Sequence, residues 1–169
     1  LERNQTTAKT KTKTDLLRFA EKIKKQADTL AKTRQMTVSV REIPENCLEN
    51  FVLDMEEESI YRAWMNIIAN SVEYGKEGGR IRLTVCIEEE QTIFVTEDDG
   101  PGFSEEELFR GTEQFYRGDK SRGQRNHYGM GLAIASRFVE QQGGRLCLGN
   151  SDAMGGAKVT ITIPTKSGR

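Results

Sequence analysis

Residues 56–103 read EEESIYRAWMNIIANSVEYGKEGGRIRLTVCIEEEQTIFVTEDDGPGF, one long helix followed at once by two alternating strands. The helix is expected from Glu56 to Tyr74, closed by Gly75 and the Gly78-Gly79 pair. Beyond it, Ile81, Leu83, Val85 and Ile87 alternate with Arg82, Thr84 and Cys86, the period of a half-buried strand. Thr92 to Thr96 reads as its partner and runs into the turn Asp98-Asp99-Gly100-Pro101-Gly102. A helix feeding a hairpin implies an α+β, two-layer sandwich, with helices packed on one face of a mixed, mostly antiparallel sheet.

The flanks extend the same pattern. Asp15 is placed to cap a helix through about Lys32, with Leu16, Phe19, Ala20, Ile23, Ala27 and Leu30 as its apolar stripe. Short strands are expected at 36–41 and 50–53. A third helix is expected from near Gly129 to about Gln142, and Gly143-Gly144 ends it. Two last strands follow, at 145–149 and 158–163, the second stopped by Pro164. Residues 1–14 are polar and rich in Thr and Lys, and read as a flexible tail or linker remnant before a domain at 15–164. Residues 165–169 read as a C-terminal tail. From Gly111 to His127 the chain has almost no apolar content, and so long a loop inside a domain is usually functional or disordered.

Composition limits the possibilities further. The chain has 169 residues, 36% hydrophobic and 30% charged, with a formal net charge of -1. That suits one globular domain and gives no electrostatic reason for a nucleic-acid partner. No apolar run approaches the ~20 residues that span a bilayer. Cys47, Cys86 and Cys147 are scattered and unpaired in spacing, which argues against zinc or a disulfide framework. Cys86 is expected to be a small buried side chain in its strand.

Projected at ~100° per residue, the helix of 56–74 places Ile60, Tyr61, Trp64, Met65, Ile67, Ile68, Ser71 and Val72 on one arc. Asn66 and Asn70 lie one turn apart on the other, with Ser59, Arg62 and Glu73, and Tyr74 at the border. That arc is either a solvent face or a ligand face. Asn is a poor helix former, and an amide oxygen is a hard neutral ligand suited to Mg²⁺. A tyrosine at the border suits stacking on a base. The acidic turn is either an ordinary turn or a place where glycines admit a ligand and a carboxylate accepts from an exocyclic amine. A calcium loop is a rival reading of the acidic cluster, disfavoured because the ligand spacing of an EF-hand and its distal Glu are missing. Gly129-Met130-Gly131-Leu132 opens a helix, where free N–H groups and the dipole favour phosphate, although tight packing would also call for glycine.

In this order the pieces resemble a known family. Asn66 to Tyr74 resembles the asparagine box of the GHKL ATPases, the group named for gyrase, a heat-shock chaperone, histidine kinases and MutL. Asp98 to Phe103 resembles the first glycine box, and Gly129 to Ile134 the second. Phe115-Tyr116-Arg117-Gly118-Asp119 resembles the phenylalanine box of histidine kinases, and Gln142 to Leu146 and Gly155 to Ala157 are similar to them too. The resemblance covers roughly 15–164. It implies the Bergerat fold and the ATP-binding catalytic domain of a two-component sensor histidine kinase, using ATP and Mg²⁺. Asn70 would bind Mg²⁺, with Asn66 holding metal and phosphates. Asp98 would take the adenine amine, and Gly100, Gly102 and Phe103 would shape the pocket floor. Tyr74 would stack on the base, Tyr116 would line the site, and Gly129, Met130, Gly131 and Leu132 would form the lid hinge over the phosphates. Arg117, Arg122 or Arg125 would reach the γ-phosphate.

The resemblance also implies partners. The phosphoacceptor histidine would lie upstream of Leu1, on a dimerisation domain of the same parent, because His127 precedes Tyr128-Gly129 rather than an acidic residue. A cognate response regulator would act through the parent, expected to be a membrane-anchored bacterial homodimer with this domain in the cytoplasm. The fragment itself is expected to be monomeric. Glu73 stands where many histidine kinases carry Lys or Arg, Asp99 where Asn is usual, and His127 where Gly is frequent. Glu73 motivates one alternative, a nucleotide-binding interaction module without turnover. A GHKL protein serine kinase of the anti-sigma type is the other.

Overall fold

The computed structural model describes residues 11–110 and 129–165, the first two of the latter stretch by backbone alone. The sites expected at Phe115, Tyr116, Arg117, Arg122, Arg125 and His127 lie outside the described residues. The elements are β1 Thr12–Asp15, α1 Leu16–Lys32, β2 Thr37–Ile43, β3 Val52–Met55, α2 Glu57–Tyr74, β4 Arg80–Ile87, β5 Gln91–Asp98, α3 Glu105–Arg110, α4 Gly129–Glu140, β6 Arg145–Asn150 and β7 Ala157–Pro164.

A five-stranded sheet has the order β2-β4-β5-β7-β6. Only β2 and β4 run parallel; β4–β5, β5–β7 and β6–β7 are antiparallel. On one face lie α1, α2 and α4, with α2 in contact with both others. The core between the layers holds Phe19, Ile23, Trp64, Ile67, Ile68, Leu83, Phe94, Leu132 and Ile161. Trp64 anchors the middle helix to the middle strand. Its Nε1 donates to Thr96 Oγ1 at 2.8 Å inside the core, and its ring lies 4.9 Å from that of Phe94. This is the sandwich that the helix–hairpin pattern implies.

Local chemistry sets the helix boundaries. Asp15 Oδ1 accepts from the backbone N–H groups of Leu17 and Arg18, a side-chain cap for α1. Glu56 Oε1 accepts from Ser59 N and opens α2. Gln142 then brackets Glu56: its Oε1 accepts from Glu56 N at 3.0 Å and its Nε2 donates to Glu56 O at 3.2 Å. The end of α4 is thereby tied to the start of α2.

Several features differ from the sequence expectations. Residues 12–14, read as tail, form β1 together with Asp15, antiparallel to β3. Partner strands so far apart in sequence leave no local signal. Helix α3 follows the acidic turn and was not anticipated; six residues with no buried side chain show no apolar stripe. Ser59 sits at 5% exposure rather than on a wet arc, because α4 covers that flank of α2. Cys86 is only half-buried, since the register pairs it with Ile43 and Ile93 on the sheet face away from the helices. Among the described residues, no helix is long and apolar enough to cross a membrane.

Candidate functional site

Strand β5 delivers the key carboxylate by its period. Thr92, Phe94, Thr96 and Asp98 alternate inward, so the last of them arrives buried beneath the C-terminal end of α2. Asp98 is 4% exposed and accepts from three donors. Its Oδ1 accepts from Gly100 N at 3.0 Å and Ala157 N at 3.1 Å. Its Oδ2 accepts from Ser71 Oγ at 2.7 Å. No cationic partner is among these donors. A carboxylate oxygen has more than one lone-pair site, so Oδ2 retains capacity for one more donor.

Helix α2 brings the amides alongside. Ser71, bound to Asp98, is the neighbour of Asn70 in sequence, so the asparagine face and the carboxylate share one end of the molecule. Asn66 and Asn70 are both half-buried. Asn70 Nδ2 is enclosed with no hydrogen-bond partner among the described residues. An enclosed polar group without a partner is costly, which makes Asn70 a candidate for contact with a ligand. Gly131, in the first turn of α4, faces it: a Cβ there would lie 3.6 Å from both Asn70 Oδ1 and Nδ2. That is ordinary van der Waals spacing, so contact with Asn70 does not itself demand a glycine. The backbone of Gly129, Met130 and Gly131 forms the N-terminus of a 12-residue helix whose first turn holds no acidic residue to offset the positive end of its dipole.

The acidic turn is built from close backbone contacts. A Cβ on Gly100 would lie 3.0 Å from Gly75 Cα, so turn and helix end touch. Gly102 has φ +79, and Asn150 fastens the next residue by accepting from Phe103 N at 2.8 Å and donating to Phe103 O at 3.0 Å. The Phe103 and Leu132 side chains are buried in the core, so only their backbones can face a ligand. Tyr74 ends α2, half-buried, beside Gly75.

Asp99 points away from this pocket to Arg80, accepting from its N at 2.9 Å and its Nε at 3.3 Å. Partial burial raises the Asp99 carboxyl, but those hydrogen bonds and the charges of Lys76 and Arg80 outweigh it and hold it below its ordinary value. Glu97 lies on the opposite sheet face. Burial raises it too, but Ser151 Oγ at 2.8 Å and Arg82 Nη2 at 3.0 Å bring it below the usual range.

Sequence reasoning missed Ser71, Asn150 and Gly156. Ser71 stood out only as a hydroxyl on an apolar arc. A Cβ on Gly156 would fall 2.5 Å from Gly100 N and nearer still to Asp98. Its one signal was the Gly155-Gly156 pair before a strand. Asn150 gave none.

Known proteins are similar to this chain in sequence and in fold. SpaK, a sensor histidine kinase of Bacillus subtilis, is 41% identical over 123 residues, 73% of this chain and 26% of the relative's length. The catalytic domain of histidine kinase ThkA has a TM-score of 0.76 at 17% identity, covering 92% of this chain and 95% of that one. The same kinase is also known in complex with the response regulator TrrA. Full-length ShkA in complex with AMPPNP has a TM-score of 0.75 at 19% identity, covering 94% of this chain and 32% of that one. At such identities these structures speak for the fold. A sequence profile matches residues 55–167, from the end of β3 through the asparagine face, the acidic turn and the glycine helix start. On that match the chain belongs to the family of histidine kinase-, DNA gyrase B- and HSP90-like ATPases.

Proposed function

We propose that the chain binds ATP with Mg²⁺ and passes the γ-phosphoryl group to a histidine on a separate dimerisation domain of the same parent protein. The observation that carries this is the enclosed Nδ2 of Asn70, which has no hydrogen-bond partner among the described residues, faces Gly131 at the N-terminus of α4 and lies next to the residue that orients Asp98. An amide able to donate to a phosphate oxygen, a helix N-terminus and a buried carboxylate suit the three parts of a purine triphosphate. The resemblance to SpaK and to histidine kinase catalytic domains supports transfer to histidine.

The residues present fit the metal. Asn70 would ligate Mg²⁺ through Oδ1, with Asn66 one turn earlier holding metal-bound phosphate. When bound, Mg²⁺ neutralises phosphate charge and aligns the transferring group. The chain's own residues do the positioning. Asp98 accepts from the adenine amine through Oδ2, its orientation fixed by Ser71, Gly100 and Ala157. Tyr74 stacks on the base, and Gly100 and Gly102 let the backbone approach it. The first N–H groups of α4 receive the phosphates. The nucleophile comes from the histidine-bearing domain, so this chain by itself is expected to turn over slowly or not at all. A response regulator would then take the phosphoryl group from the parent, a membrane-anchored dimer in this reading, as the ThkA–TrrA complex suggests by analogy.

The test mixes the chain with its dimerisation domain, Mg²⁺ and γ-labelled ATP. An acid-labile label on a histidine is expected. An acid-stable label on serine would indicate a serine kinase instead. Normal Mg²⁺-ADP binding without any label would leave a nucleotide-dependent interaction module, and the transfer claim would be lost.

A further inference from the structure

Helix α2 ends at an electrostatic disadvantage. Its last turn has no basic residue and carries the exposed Glu73, the wrong sign for the negative end of a helix dipole. Its final carbonyls also lack intrahelical donors. Arg34, in the turn between α1 and β2, answers both deficits from outside the helix. Its Nη1 donates to Val72 O at 2.7 Å, to Glu73 O at 2.9 Å and to Gly75 O at 3.0 Å. The Arg34 backbone is fixed as well: its N donates to Ala31 O at 3.0 Å, and its O accepts from Gly78 N at 2.9 Å. The side chain is half-buried, and no ion pair with a carboxylate competes for it among the described residues.

The carbonyls it holds lie on both sides of Tyr74. Gly75 in turn touches Gly100, whose N–H donates to Asp98. We propose that Arg34 is a positioning residue for base recognition, fixing the last turn of α2, and with it Tyr74 and Gly75, at the distance from Asp98 that an adenine ring requires. Arg34 touches neither base nor phosphate and acts only through the helix end. It also offsets Glu73: the cation missing from the helix's last turn is supplied by the turn between α1 and β2. The inference rests on the proposed nucleotide site, so its test separates the two.

Binding of ADP and of IDP, which lacks the exocyclic amine, is measured calorimetrically with Mg²⁺ for the whole chain. The variants are Arg34→Met, Arg34→Gln and Arg34→Lys, with Ile23→Val as a control that weakens α1 from its buried face. Wild type is expected to prefer ADP. Loss of the charge-assisted clamp in Arg34→Met or Arg34→Gln is expected to weaken ADP about tenfold and bring the ADP:IDP preference towards unity. Arg34→Lys, whose ammonium keeps the charge and three donors, is expected to retain most of the preference. Ile23→Val is expected to lower the melting temperature and leave the preference intact. An unchanged preference in Arg34→Met and Arg34→Gln, or an equal loss in Ile23→Val, would overturn the positioning role. Absence of ADP binding in wild type would overturn the nucleotide reading and this one with it.

Discussion

Among the described residues Asp98 is held by three donors and no cation, which makes its hydrogen-bonding pattern, rather than its charge pairing, the thing to perturb. Asp98→Asn turns one acceptor oxygen into a donor that must face either two backbone N–H groups or the Ser71 hydroxyl. We expect ~1–3 kcal/mol of lost stability and at least about tenfold weaker ADP binding. Urea unfolding and calorimetry check the two effects. A variant that kept wild-type ADP affinity would remove Asp98 from the base site. Gly156→Ala acts on the same carboxylate from the other side. The new methyl group meets Asp98 and the backbone of Gly100, neither of which can swing aside, so ~1–3 kcal/mol of destabilisation is expected together with weaker binding. Gly155→Ala is the control for space. It meets nothing within 4 Å, although φ +89 means that it carries strain of its own. Asp98 was legible because a strand period and a turn motif both end on it. Gly156 was not, because its constraint is a contact 58 residues away across the sheet.

Pairing across β4 and β5 gives the sheet a pH dependence. Arg82 and Glu97 are register partners, and Ser151 joins them from the β6–β7 turn. The folded Glu97 carboxyl lies below its ordinary value, about 4.3. A group depressed in the folded state contributes stability that is present above the unfolded value and is lost as pH falls through the folded one. Asp99 has the same sign through Arg80. Arg82→Met should therefore lower stability at pH 7, and the gap to wild type should narrow as pH falls towards 3 and Glu97 takes up its proton. Urea midpoints at the two pH values measure this. A gap that did not shrink at pH 3 would show that Arg82 acts by packing alone. At this scale the sequence is a good guide where a pattern is local. The alternations of β4 and β5, the stripe and Asp15 cap of α1, and the glycine closing α2 all appear as expected. It is a poor guide where a contact is made at long range: β1 pairs with β3, and Arg34 donates to the last carbonyls of α2 from outside that helix.

The molecule is organised around α2, which contacts both other long helices, fills the core with Trp64 and presents its C-terminal half to the candidate site. Gln142 couples its start to the end of α4, while Asn70 and Gly131 bring its later turns to the beginning of α4. A ligand bridging α2 and the α4 N-terminus would therefore tie together the two helices that the Gln142–Glu56 pair already joins at the far end. Binding restricted to the folded state raises stability by RT ln(1 + [L]/Kd), about 2.7 kcal/mol at a hundredfold excess of ligand over Kd. For a domain of this size each kcal/mol moves the melting temperature by roughly 2–4 °C. Saturating Mg²⁺-ADP should then raise it by roughly 5–10 °C. EDTA should remove the metal-dependent share of that rise in wild type. In Asn70→Ala the rise should be smaller and the same with or without EDTA, because the metal's ligand is gone while Asp98 still takes the base. A wild-type shift indifferent to EDTA would separate Asn70 from the metal, and a metal-dependent shift surviving in Asn70→Ala would move the metal site elsewhere on α2, with Asn66 the next candidate.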